Sequence, residues 1–233
     1  MAQSCQLYYI TDRKQFQGDE RKRCQALLDK ISEAARAGVE YIQLREKDLS
    51  TRELEALARE CAAQLQKLRT ENRALRTRFL INSRTDVALA AGADGVHLRS
   101  EDILPSEARS IWDESSARDS RFAARISTIA VSCHFAIDVE RAAAERPDFA
   151  VFAPVFEKRD APQVHPRGLE ALHEACAAKV PVLALGGVTI QNAPACLAAG
   201  AAGIAGIRLF QENKVEEVVR MLRAIEIQAD ARS

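Results

Sequence analysis

A closed (β/α)8 barrel is the fold class that the sequence predicts, on three observations. The chain has 233 residues, 47% of them hydrophobic, and a formal net charge of zero. That length suits one large α/β domain better than two. Short apolar runs alternate with longer Ala/Leu/Glu/Arg segments, the order expected of strands each followed by a helix. The stretches RAGVEYI, AAGADGV and AAGAAGI repeat one pattern, a glycine followed four positions later by an apolar strand residue. Those glycines are Gly38, Gly92 and Gly200, separated by 54 and then 108 residues, and a step of 54 from Gly92 reaches Arg146 at another helix-to-strand junction. A period of 54 equals two βα units, and four periods span nearly the whole chain. Eight units favour a closed barrel over an open doubly wound sheet. Coincidence among Ala/Gly-rich helix ends is the competing reading, and it explains less.

Strands are predicted at 7–11, 41–44, 79–82, 95–98, 129–132, 149–153, 182–185 and 203–207. Between them, apolar residues recur at helical spacing, as in Leu27, Ile31, Ala34 and Ala35, or Leu54, Leu57, Cys61 and Leu65. Glycine suits the position just past a helix because the left-handed backbone costs it little. The stretch WDESSARDSRF (112–122) is predicted as an exposed helix end and loop, and 228–233 as a frayed tail. No linker or low-complexity segment interrupts the chain, so 1–233 is expected to form a single barrel domain.

Several function classes are excluded by composition. A neutral charge balance gives no basic stripe for nucleic acid. No window holds 18 uninterrupted apolar residues, and MAQSCQLYYITDR lacks the apolar run of a signal peptide, so no membrane association is expected and the cytoplasm is. The six cysteines are scattered without a C-x-x-C pair and are expected to be reduced, structural thiols. Homo-oligomerisation is left open.

In a barrel of this kind the site lies at the C-terminal ends of the strands. The stretch YIQLREKDLS places Tyr41, Gln43 and Arg45 on one strand face and Ile42 and Leu44 on the other, because strand side chains alternate. Gln43 and Arg45 thus reach the rim, with Lys47 in the loop beyond. Other strands bring Asn82, His97, Ser132 and His134 to the same rim. Each alone could merely close the barrel top with a hydrogen bond; the set reads as a site for a polar, anionic ligand. A second group lies after strands seven and eight, in LGGVTIQN and AGIRLF. Barrels often bind phosphate there, and Gly186, Gly187, Gly206 and Ile207 would offer backbone N–H groups, with Arg208 as a cationic fork. A Gly-Gly pair by itself only turns a chain; its place after strand seven gives it weight.

The motifs YYITD, QLREK, N-x-R…DVALAAGADGVHL, S-x-H, P-V-F, GGV and GIAGI occur in the order and spacing of the thiamine-phosphate synthase/TenI superfamily, which the chain resembles over nearly its whole length. The resemblance implies a (β/α)8 barrel acting on a thiazole phosphate in thiamine biosynthesis. Synthases of the superfamily join thiazole phosphate to an aminopyrimidine diphosphate and use magnesium. TenI-type tautomerases aromatise a thiazole carboxylate phosphate by moving a proton, with no cofactor. Where synthases carry Asn-Asp after strand three, this chain has Asn82-Ser83, similar to the tautomerases' Asn-Gly-Arg. Asp102 in RSEDI matches the second magnesium ligand, and is a metal ligand only on the synthase reading. The synthase Thr-x-Thr-Lys loop is replaced by VFEKRDAPQVHPRG, where Lys158 and Arg159 are the candidate substitutes. The resemblance therefore ranks the tautomerase first, the synthase second and a non-catalytic thiazole-phosphate binder third. On the first reading His134, in VSCH, matches the catalytic histidine; histidine suits a proton shuttle because its ordinary pKa near ~6.5 permits both uptake and return. Arg45 and Lys47 would hold the substrate carboxylate, or the diphosphate in a synthase. His97 is also compatible with simple packing, and His165 and His173 are expected in solvent.

Overall fold

The structure, a computed structural model, describes residues 5–118, 127–159 and 162–230. Strands β1 (Gln6–Ile10), β2 (Tyr41–Leu44), β3 (Arg78–Asn82), β4 (Gly95–Leu98), β5 (Thr128–Cys133), β6 (Phe149–Phe152), β7 (Val182–Ala184) and β8 (Gly203–Gly206) pair in parallel and in sequence order, and β8 closes onto β1. The predicted (β/α)8 barrel is thus the observed fold. Predicted strand ends shift by a residue in several places, so that Thr11, Ala153, Leu185 and Ile207 belong to loops at the barrel mouth. The connecting helices are α1 (Glu20–Ala37), α2 (Thr51–Glu71), α3 (Thr85–Ala91), α4 (Pro105–Arg118), α5 (Ala136–Ala144), α6 (Gly168–Cys176) and α7 (Ala193–Ala198); a short α8 (Arg208–Gln211) precedes α9 (Val215–Asp230).

Both strand faces are apolar because both are covered, which is why these strands read as short apolar runs. Leu7, Tyr9, Ile42, Leu44, Phe79 and Ile81 face the helices. Tyr8, Ile10, Leu80, Ala130, Phe149, Val151, Leu183 and Ala205 fill the barrel interior, with Tyr41 packed against them. The aromatic rings of Tyr8 and Tyr41 lie 5.2 and 4.6 Å from that of Phe149, centroid to centroid. Small alanines opposite large rings let the layers interlock at crystal-like density. Where strands crowd, only glycine fits: a Cβ on Gly95 would sit 1.9 Å from the Thr128 carbonyl oxygen.

The 54-residue repeat has a structural basis. Gly38, Gly92 and Gly200 all take positive φ (88°, 71° and 101°), and Arg146, the fourth position of the series, does so without being glycine (φ 55°). The helix-to-strand turn therefore recurs in each quarter of the barrel. One expectation fails. Trp112 is not part of an exposed helix end: it is 1% exposed and packs in the core beside Ala108, one turn earlier on the same face of α4. The rest of that stretch, from residue 119, lies outside the described residues. Helix α9 continues to Asp230, and the rest of the predicted tail, 231–233, lies outside the described residues. Among the described residues no helix is long and apolar enough to cross a membrane.

Candidate active site

The C-terminal ends of the strands open into a cavity of about 700 Å³. Gln43, Arg45, Asn82, Ser132 and His134 line one part of it, and Gly186, Gly187, Gly206, Ile207 and Arg208 another, so these two predicted groups share one chamber. His97, Lys158 and Arg159 also border it, as do Asp12 and Gln15, which the sequence reading did not single out. Lys47 is exposed and outside the lining, but the charges of Arg45, Arg99 and Lys158 lower its pKa, so it belongs to the same cationic rim. His165 and His173 are exposed on the loop and helix after β6.

The four charges of REKD divide by strand alternation. Arg45 points into the mouth, while Glu46 turns back and is buried. Glu46 accepts hydrogen bonds from the Thr11 hydroxyl (2.6 Å), the Arg13 backbone N–H (3.1 Å) and the Arg13 guanidinium (3.1 Å). Arg13 also donates to both oxygens of Asp48, at 2.8 and 2.9 Å, and pairs with Glu20. Thr11 in turn accepts the Arg45 backbone N–H at 3.0 Å. Burial raises the Glu46 carboxyl, and its Thr11 and Arg13 bonds pull it partly back. This lattice fixes the loops after β1 and β2, and with them the start of the Arg45 side chain.

A second chain of contacts runs from the barrel interior to the mouth. The buried Tyr8 hydroxyl lies 2.8 Å from His97 Nδ1, and His97 Nε2 lies 2.7 Å from the Ser132 hydroxyl. Beside it the Gln43 amide donates to Asn82 Oδ1 at 3.2 Å. Burial, aided by the positive charge of Arg45, pushes the His97 pKa down to about 3, against the opposing pull of Asp102. His97 is therefore neutral, one ring nitrogen donating and the other accepting. From the unfolded value near ~6.5 down to about 3, the unfolded chain binds a proton that the folded one refuses, so stability falls as pH falls. At pH 5 this accounts for roughly 2 kcal/mol. The loss of stability between pH 7 and pH 5, measured by urea unfolding, should be smaller by that amount in His97→Gln; equal losses would mean that His97 is charged in the fold.

His134 sits just past β5, where Asp138 of α5 accepts the backbone N–H groups of His134 (3.2 Å) and Phe135 (3.0 Å). Its Nδ1 is 2.8 Å from the Ala153 carbonyl oxygen. A carbonyl only accepts, so Nδ1 carries the proton and Nε2 of the neutral ring keeps its lone pair. No hydrogen bond among the described residues engages Nε2. No cysteine is among the residues lining the cavity, and burial pushes the neighbouring Cys133 thiol up to about 12.

Gly186 and Gly187 take positive φ (95° and 66°) where the loop after β7 presses on the loop after β6. A Cβ on Gly186 would meet Pro154 at 2.6 Å, and one on Gly187 the Glu157 carbonyl oxygen at 2.3 Å. Loop packing thus requires both glycines independently of any ligand. Arg208, beside them, pairs with Glu212 at 3.5 Å, and Glu212 also receives Arg159 at 3.0 Å.

The magnesium expected on the synthase reading is tested by the donors present. Ser83 stands where a second carboxylate would be needed. Asp102 Oδ2 accepts from the Ser83 hydroxyl (2.6 Å) and the Arg99 backbone N–H (2.7 Å), while Oδ1 accepts from the Arg99 guanidinium (3.0 Å). Asp102 is not among the residues lining the cavity. One carboxylate already saturated by an arginine does not fit a hard divalent cation, which wants anionic oxygens with free lone pairs.

A closed parallel barrel whose strand ends open into one mouth, with glycine loops after its last two strands, defines a (β/α)8 protein with its candidate site at the C-terminal face. More narrowly, the chain belongs to the thiamine monophosphate synthase family (TMP-TENI), whose profile matches residues 7–210. It is 37% identical over 207 residues to a putative thiamine-phosphate synthase 2 of Aquifex aeolicus, covering 88% of this chain and 97% of that one. A putative thiamine-phosphate synthase of Geobacter sulfurreducens is 39% identical over 224 residues, covering 94% and 93%. The solved thiamine phosphate pyrophosphorylase of Pyrococcus furiosus superposes with a TM-score of 0.72 at 28% identity, covering 97% of each chain. The names of these relatives favour the synthase, ranked second from the sequence, and give no support to the tautomerase branch in particular.

Proposed function

We propose that the mouth binds a thiazole phosphate and transfers a proton on it, with His134 as the base. The carrying observation is the His134 geometry: Nδ1 is tied to the Ala153 carbonyl, which leaves Nε2 as the ring nitrogen that can take up a proton, on a residue that borders the cavity. The phosphate would lie along Gly186, Gly187, Gly206 and Ile207 with Arg208 beside it, and the carboxylate of a thiazole carboxylate phosphate near Arg45 and Lys47. Nε2 would then remove a proton from the thiazoline ring and return it elsewhere on the ring, giving the aromatic thiazole with no net change of oxidation state. The saturated Asp102 supports a reaction that needs no metal.

A second reading is the joining of thiazole phosphate to an aminopyrimidine diphosphate with release of diphosphate. It is supported by the names of the relatives. Lys158 and Arg159, which both border the cavity, are then the candidate diphosphate contacts, with Arg159 also paired with Glu212. One experiment separates the readings: purified protein is given thiazole carboxylate phosphate alone, or thiazole phosphate plus the aminopyrimidine diphosphate, each with and without EDTA. Aromatisation of the first, indifferent to EDTA, is the expected result. Diphosphate release from the second pair, abolished by EDTA, reverses the order of the two readings. Binding without either turnover leaves a thiazole-phosphate binder.

A further inference from the structure

We infer, resting on the metal-independent reading above, that Arg99 is a built-in cation that occupies the corner between β3 and β4 and bars divalent metal from it. Three side chains form a closed ring there. The Ser83 hydroxyl donates to Asp102 Oδ2, and the hydroxyl oxygen itself accepts from Arg99 Nε at 3.0 Å. Arg99 Nη2 then donates to Asp102 Oδ1, and the Arg99 backbone N–H to Oδ2. The hydroxyl proton and both carboxylate oxygens are thereby engaged. The carboxylate's single negative charge is matched by a guanidinium that does not deprotonate in proteins.

The corner is also held rigidly. Asp102 has a side chain only 12% exposed. Ser83 has φ 64°, a left-handed backbone unusual outside glycine, with its N–H bonded to the His97 carbonyl at 2.8 Å. The backbone that carries the hydroxyl is thus tied to the end of β4. Burial pushes the Asp102 carboxyl up, but bonds from Ser83, the Arg99 backbone and the Arg99 guanidinium outweigh it, leaving the pKa below the ordinary value. A small divalent ion requires close octahedral oxygen ligands. To reach Asp102 it would have to expel Arg99 and then sit beside that displaced charge, in the field of Arg45 and Lys47. Among the described residues there is no group of three or more His, Cys, Asp or Glu side chains arranged to hold a metal ion. Arg99 keeps positive charge at this rim while removing the need for an exchangeable ion.

The test is a titration of the full chain with Mn²⁺ alone, followed by the loss of the free-ion electron paramagnetic resonance signal. The wild type should show no saturable binding through the low-millimolar range. Ser83→Asp with Arg99→Gln, which supplies a second carboxylate and removes the guanidinium, should bind Mn²⁺ about tenfold tighter or more. Adding Asp102→Asn to that variant should abolish the gain. The inference is overturned if the wild type binds Mn²⁺ saturably and Asp102→Asn removes that binding. It is equally overturned if the double variant, folded by circular dichroism, binds no better than the wild type. Should the double variant not fold, Arg99→Gln alone decides: this change at a half-exposed side chain should still tighten Mn²⁺ binding, and affinity equal to the wild type overturns the inference.

Discussion

On the proposed tautomerase reading, His134→Asn should lower the rate of thiazole tautomerisation by about two to four orders of magnitude while leaving the fold and thiazole-phosphate affinity nearly unchanged. The side-chain amide of asparagine can replace Nδ1 as donor to the Ala153 carbonyl, and the bond from the His134 backbone to Asp138 does not involve the side chain. What is lost is Nε2, the lone pair that would accept the ring proton; an amide cannot shuttle a proton near neutrality. The change should therefore fall on kcat. Arg45→Ala should weaken substrate binding first, because a carboxylate clamp acts on the ground state as well as the transition state. Single-turnover rates and phosphate-competition binding on both variants check the pair. A wild-type rate in His134→Asn reduces His134 to a structural residue.

Arg13→Ala should destabilise the protein by about 3–5 kcal/mol, because it strands a buried carboxylate. Glu46, with a side chain 1% exposed, would keep only the Thr11 hydroxyl and one backbone N–H. Its carboxyl, already raised by burial, should rise further once the guanidinium is gone. A carboxyl whose folded pKa lies above its unfolded value is easiest to accommodate when protonated. Its stabilising contribution is thus full below the unfolded pKa and lost as pH rises through the folded one. The deficit of Arg13→Ala should accordingly shrink as pH is lowered from 7 toward 5, and Glu46→Gln in the same chain should recover part of it. Urea midpoints at both pH values test this; a deficit under 1 kcal/mol, or one independent of pH, would show that Arg13 contributes packing alone.

The barrel was legible in the sequence because its determinants are local. Apolar runs of strand length mark segments buried on both faces, and the glycines at 38, 92 and 200 mark turns that need a left-handed residue. Arg146 shows the limit of that signal, since the backbone demand persists where the residue does not advertise it. Gln43, Arg45 and Asn82 were legible from strand alternation alone. Glu46 and Asp48 were not: they lie among like-looking charges, and only Arg13, more than thirty positions away, tells them apart. Trp112 was misread because its neighbours in sequence are charged, while the face it shares with Ala108 is not. Arg99 carries no signal in the sequence, and only the fold sets it against Asp102 and Ser83.

The seam of the barrel carries a temporal consequence. Beyond the β1–β8 pairing, the Asp12 backbone N–H donates to Gln211 Oε1 and the Gln211 amide donates back to the Asp12 carbonyl, each within 3.0 Å. One rim of the chamber is therefore latched by two residues 199 positions apart in the chain. Until residues 203–211 have been synthesised, β1 has no partner on its β8 side and the mouth lacks its last loop. The chamber is therefore completed late and all at once, when synthesis passes the eighth strand.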